Sequence, residues 1–168
     1  MTDEMPRNSE SQMIKSCVKW IKCNCPNIKI LFTWADGMMG KPGYVYQASS
    51  FIYASYSPGE MYLQNGVKIH VRAIKKLICD DYSKESRVTV RPTLLQMNEL
   101  GIKHYKGKQF RYFKFLCNKA EKNRLLKECQ APLNEPYPKV KDLSWKVKNE
   151  VGEWVDCDLP PYTTDVLN

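Results

Sequence analysis

The feature that most constrains this fold is a change of hydrophobic period within residues 8–53. Met13, Ile14, Cys17, Val18 and Ile21 recur at helical spacing. They predict an amphipathic helix from about 10 to 23, with Lys15, Lys19 and Lys22 on its outer face. Ser9-Glu10-Ser11-Gln12 has the pattern of a capping box, with Ser9 as N-cap and Gln12 three residues on. Asn24-Cys25-Pro26 ends the helix, because the residue before a proline is pushed out of the helical region. Ile28 to Trp34 is a short apolar, β-rich run, which predicts a buried strand. Asp36-Gly37-Met38-Met39-Gly40-Lys41-Pro42-Gly43 is a turn crowded with helix and strand breakers. Tyr44 to Tyr53 reads as a second, aromatic helix. The order helix, strand, Gly-rich turn, helix points to an α/β fold.

Further on, Asn65-Gly66 between Met61–Gln64 and Val67–Val71 is the strongest hairpin signal in the chain. Short helices are expected at 73–79 and 93–99, a strand at Lys108–Leu116 and a helix at 118–129. The remainder is Pro-rich at first, with one strand at Ser144–Val147. At 168 residues, 43% hydrophobic and 26% charged, the chain suits one soluble globular domain. No run of 18 apolar residues predicts a membrane span, and the acidic, polar start is unlike a signal peptide. Seven scattered cysteines, an odd count, argue against a disulfide framework and for a reducing cytoplasm. Cys23 and Cys25 are the one close pair, and with only His70 and His104 as histidines they do not complete a closed zinc site.

Charge is unevenly spread. Residues 150–168 hold five acids and no Lys or Arg, so residues 1–149 carry 26 basic against 13 acidic side chains. A body this basic suggests a polyanionic partner, nucleic acid first. Four groups of residues could carry chemistry. The start of the first helix offers free N–H groups and the hydroxyls and amide of Asn8, Ser9 and Ser11, which suits an anion, although an ordinary capped helix has the same residues. Asp36 follows a strand at its C-terminal end, where α/β sheets place functional groups, and Asp-Gly is also a common turn. Tyr44 and Tyr46 open a helix after a Gly-Pro-Gly turn. A tyrosine with pKa about 10 can protonate a leaving thiolate whose acid has pKa about 8.5 if a dry site offsets roughly 2 kcal/mol. Lys108, Phe110, Tyr112 and Lys114 alternate with Gln109, Arg111, Phe113 and Phe115 on one strand. That mixture suits phosphate contacts plus base stacking, or equally an edge strand protected by lysines.

Together the series Asn8-Ser9-Glu10-Ser11, Trp34-Ala35-Asp36 and Gly40-Lys41-Pro42-Gly43-Tyr44-Val45-Tyr46-Gln47-Ala48 resembles phage DNA-modification proteins of the Mom type, placed in the GCN5-related N-acetyltransferase (GNAT) superfamily. Gln109-Phe110-Arg111-Tyr112-Phe113 and Pro136-Tyr137-Pro138-Lys139 extend the resemblance over about 6–139. It implies a GNAT-like mixed sheet lacking its N-terminal strands over 1–139, followed by an extra tail at 140–168 that is acidic at its end. It implies acetyl-CoA as cofactor, held near Asn8, Ser9 and Ser11, with Asp36 and Tyr46 catalytic. It implies DNA as partner through Lys41, Lys108, Arg111 and Lys114, and adenine N6-carbamoylmethylation that protects phage DNA in the host cytoplasm. Iron has been linked to the family, and this sequence offers no ligand set for it. The family's N-terminal His-Tyr pair does not occur here, so a second chain is expected to complete the fold along the edge of Ile28–Trp34. The rival readings are a non-catalytic DNA-binding remnant of the fold and a structural protein with an acidic protein partner.

Overall fold

The computed structural model describes residues 5–69, 73–74, 91–128 and 135–158. The elements in chain order are α1 (Ser9–Asn24), β1 (Ile30–Asp36), a 3-10 turn (Gly37–Met39), α2 (Tyr44–Ala48), β2 (Ile52–Gln64), β3 (Val67–Ile69), α3 (Leu94–Glu99), β4 (Ile102–Phe115), α4 (Lys119–Glu128), a 3-10 turn (Val140–Asp142), β5 (Trp145–Lys148) and β6 (Trp154–Cys157). The α/β class read from the sequence is the class observed. The strand order is β3-β2-β4-β5-β6, with β1 also paired to β4, and every described register is antiparallel.

The chain divides into two compact units, one drawn from Met1–Asp36, Lys41–Ser57 and Gln109–Asp142, the other from Gly37–Gly40, Pro58–Lys108 and Leu143–Asn168. In the first, β1 runs antiparallel to the second half of β4, from Ile30 opposite Phe115 to Asp36 opposite Gln109. Its core holds Val18, Ala35, Phe51, Tyr53, Phe110 and Tyr112. In the second, β2 turns into β3 through Asn65 and Gly66, both at positive φ, as the Asn-Gly signal requires. Met61 and Leu63 pack with Met38 and Tyr105, while Tyr62 packs with Ile74, Met97 and Ile102. Alternate residues of β2 thus feed two apolar clusters, as the period of a strand dictates. The β5–β6 hairpin extends the sheet beyond β4, with Tyr105 opposite Val147 and Trp145 opposite Cys157.

Several expectations need correction. β1 is not buried: one face is covered at Ala35, while Ile30, Phe32 and Trp34 on the other are exposed. The helix expected to reach Tyr53 stops at Ala48, and Tyr53 lies in β2. The stop is made at a distance, because Lys114 donates from Nζ to the carbonyl of Ser49 at 2.5 Å and of Ser50 at 3.4 Å. The capping box at Ser9 does not form. Asn8 takes the N-cap position at φ 69° without a side-chain cap, Ser9 Oγ donates to the Pro6 carbonyl, and Ser11 Oγ donates to Asn8 O at 2.9 Å. The capping box that does form is Thr93 with Gln96 at the start of α3, inside the helix expected at 93–99. Strand β4 begins six residues before the expected Lys108, and β6 was not foreseen. His70 and most of the helix expected at 73–79 lie outside the described residues.

Candidate functional site

The turn after β1 is built around a glycine. Lys41 N–H donates to the Asp36 carbonyl at 3.2 Å and closes the loop. Gly43 then starts α2 at φ 92°, and a Cβ on it would lie 2.7 Å from Tyr112 Cε2 and 2.8 Å from Ala35 Cβ. Only a residue without a side chain lets α2 sit this close to β1 and β4. Gln47 fastens the arrangement. Its amide donates to Tyr112 Oη at 3.1 Å, to Pro138 O at 2.9 Å and, at the limit, to Pro42 O at 3.5 Å. The Tyr112 hydroxyl in turn donates to Pro42 O. Burial pushes the Tyr112 phenol up to about 12, with the Gln47 hydrogen bond opposing, so it stays protonated and serves as a structural donor.

Asp36 stands at the C-terminal end of β1, half-buried and opposite Gln109. Tyr46 packs its half-buried ring 5.5 Å from Tyr112 and 5.6 Å from Phe51. Tyr44 is exposed, accepts a hydrogen bond from Val140 N at 3.4 Å, and has Lys139 Nζ 5.7 Å from its ring centre. In the second unit, Trp145 Nε1 donates to Gly37 O at 3.2 Å and anchors the 3-10 turn that follows Asp36.

A cavity of about 400 Å3 opens between α1, the end of α2 and β4, lined among others by Ser11, Lys15, Val18, Ser49, Ser50 and Lys114. Its volume lies within the range of small-molecule sites. The Lys114 amine is pushed below the usual lysine range, first by burial and then by repulsion from Lys22. Ser49 Oγ is buried and finds no hydrogen-bond partner among the described residues. The cavity is thus lined by a cation, Lys114, and by Ser11 and Ser49, residue types that suit a phosphate or similar anion. Ser11 and Lys114, separated by about a hundred residues, are therefore brought together, while Asn8 and Ser9 sit one turn away at the start of α1.

The four residues expected to meet nucleic acid do not share one surface. Lys41 is exposed, while Lys108, Arg111 and Lys114 are half-buried and alternate across β4, with Arg111 facing opposite to the other two. Phe110 and Tyr112 are fully buried, so that face of β4 packs the core and has no ring free for a base.

Sequence reading also passed over His104. It stacks on Tyr62 at 4.2 Å, meets the Trp154 ring edge-on at 5.0 Å, and has Glu60 Oε2 3.6 Å from Nε2. Burial lowers its pKa to about 4 against the opposing pull of Glu60, so near neutral pH the imidazole is uncharged and its contact with Glu60 is no ion pair. Among the described residues no three His, Cys, Asp or Glu side chains converge as metal ligands, and no helix is long and apolar enough to cross a membrane.

Comparison with known proteins fits this arrangement into a lineage. Residues 1–139 match the sequence profile of the Mom protein family. The methylcarbamoylase Mom of Escherichia phage Mu is 32% identical over 140 residues, covering 82% of this chain and 52% of that protein. The chain thus spans about half the length of this relative.

Proposed function

The chain belongs to the Mom protein family, and from that premise we propose that it takes part in modifying phage DNA by placing a methylcarbamoyl group on adenine. The name of the phage Mu relative supports the chemistry, and the cavity shared by Ser11, Ser49 and Lys114 supports a phosphate-bearing cofactor. In this reading the fold is GNAT-like and the cofactor would be acetyl-CoA, a carrier of a two-carbon unit. Lys114, Ser11 and Ser49 hold its phosphates. Asp36 accepts a hydrogen bond from the adenine amine at the end of β1. Tyr46, on the first turn of α2, would hold a proton close to the reacting groups. Lys41, exposed in the turn after β1, neutralises a DNA phosphate.

Two measurements test it. DNA from host cells making the protein, together with the remainder of the family's length, is digested and its nucleosides are weighed by mass spectrometry. The modified adenine is expected with the native sequence and falls about a hundredfold or more with Asp36→Asn or Tyr46→Phe, the scale of a lost general acid or base. Undiminished modification in both variants overturns the catalytic assignment. Calorimetry with acetyl-CoA tests the cavity. Lys114→Met is expected to weaken binding about tenfold, on the scale of one charge-assisted hydrogen bond. Ser49→Ala weakens it less and leaves the thermal midpoint in place, because the hydroxyl has no partner to lose.

The basic body favours a second reading, a DNA-binding module without catalysis. Salt-sensitive DNA binding that persists in Asp36→Asn, with no modified nucleoside from the native sequence, is its signature.

A further inference from the structure

The outer face of β1 is apolar and open. Ile28, Ile30, Phe32 and Trp34 are 41%, 37%, 43% and 53% exposed. The register sets Phe115, Phe113 and Arg111 directly opposite the last three, on the same face of the sheet. Phe32 contacts Trp34 at 4.3 Å and Phe113 at 4.9 Å between ring centres, so these side chains form one continuous surface. Among the described residues β1 pairs with β4 alone, which leaves the backbone groups of its second edge without a strand partner. An apolar face and an open strand edge coincide on β1, and together they describe an interface without its occupant.

We propose that this face is the docking surface for the half of the family's length that this chain does not span. The proposal rests on family membership and is independent of the cofactor and of the roles given to Asp36 and Tyr46. Size argues for a strand-bearing partner. A large side chain fully open to water presents ~200 Å2, so Ile28 and the three β1 positions together expose on the order of 350 Å2. A stable interface needs ~800 Å2 on each side. The remainder comes from a strand laid along the free edge of β1, which gains main-chain hydrogen bonds there and spreads its own apolar residues over Phe32 and Trp34. Length argues for its identity, since the phage Mu relative carries about as much chain again as the part matched here. A second copy of this chain fits less well, because it brings the same surplus of Lys and Arg.

The test is co-expression of the full chain with the half of the phage Mu relative that it does not match, only one of the two being tagged. A one-to-one complex is expected. Amide exchange at Ile30–Asp36 should slow at least tenfold on binding, and Trp34→Ser or Phe32→Ser should weaken the complex at least tenfold. Both side chains are exposed, so neither variant should shift the thermal midpoint of the lone chain, and that measurement separates lost docking from lost folding. Absence of a complex while both polypeptides are soluble overturns the proposal. So does a homodimer of this chain that Trp34→Ser dissolves, because a second copy then occupies the face. A complex that forms without DNA modification leaves the docking surface standing and counts against the catalytic reading alone.

Discussion

Gly43→Ala lowers the thermal midpoint by roughly 10 °C, whereas Gly40→Ala three residues earlier lowers it by about 3 °C. Both glycines have positive φ, at 92° and 70°. Each alanine therefore meets backbone strain on the order of 1 kcal/mol. At Gly40 nothing lies within 4 Å of the added methyl, and strain is the whole effect. At Gly43 the methyl meets Tyr112 and Ala35 at 2.7 and 2.8 Å. Tyr112 is fully buried and its hydroxyl and ring are held by Pro42, Gln47, Tyr46 and Tyr53, so it has no room to retreat. Overpacking of this kind adds ~1–3 kcal/mol, for a total of about 3 kcal/mol. That is a substantial share of the ~5–15 kcal/mol that holds a domain folded, and at ~2–4 °C per kcal/mol it gives the stated shift. Differential scanning calorimetry on the three proteins decides the matter. Equal losses for the two alanines would show that the approach of α2 to β4 is not close.

Acid destabilises the protein through His104 by about 2 kcal/mol between pH 7.5 and pH 5. Its folded pKa of about 4 lies below the reference value of 6.5. Between those values the unfolded chain binds a proton that the folded one refuses. The stability tied to neutral His104 is therefore complete above about pH 6.5 and is lost progressively as pH falls toward 4. The full shift is worth ~3 kcal/mol at 1.36 kcal/mol per unit. Burial is the main cause, Lys106, Lys148 and Arg91 act in the same direction, and Glu60 opposes them. Urea unfolding from pH 7.5 to 5 should show a steep fall in the native protein and a shallower one in His104→Phe, which keeps a flat ring against Tyr62 and has no proton to take up. Parallel slopes in the two would assign the acid sensitivity to carboxylates instead.

What the sequence made legible follows from the range of the interactions involved. Helix α1, the Asn65-Gly66 hairpin and α3 rest on local patterns of period, turn and cap, and each formed where those patterns lie. The failures have two causes, a local turn at Asn8 and partners far along the chain elsewhere. Ser9-x-x-Gln12 and Thr93-x-x-Gln96 carry the same capping signature, yet only the second is used, because Asn8 turns left-handed and Ser9 bonds back to Pro6. The aromatic run from Tyr44 ends as a helix at Ala48 because Lys114 captures the next two carbonyls. Phe110 and Tyr112 offered stacking rings in the sequence and became core, since Tyr53 covers both from β2. The apolar run of β1 was read as buried because hydrophobicity reports a preference for cover and is silent on what provides it. Asp36, Tyr46 and Ser11 were marked by resemblance, while the meeting of Ser11 with Lys114 and the unmet hydroxyl of Ser49 needed three dimensions.

The hydrogen bond from Trp145 to Gly37 reaches from outside the shared family region into the turn beside Asp36. The family match ends at residue 139, and β5 and β6 lie beyond it. Substitutions in this hairpin can therefore adjust how firmly the Gly37 carbonyl is held without altering any residue of the turn. A relative with a different C-terminal segment must secure that carbonyl by other means or let the turn move. The hold on the Gly37 carbonyl is thus set by a hairpin that lies beyond the matched residues.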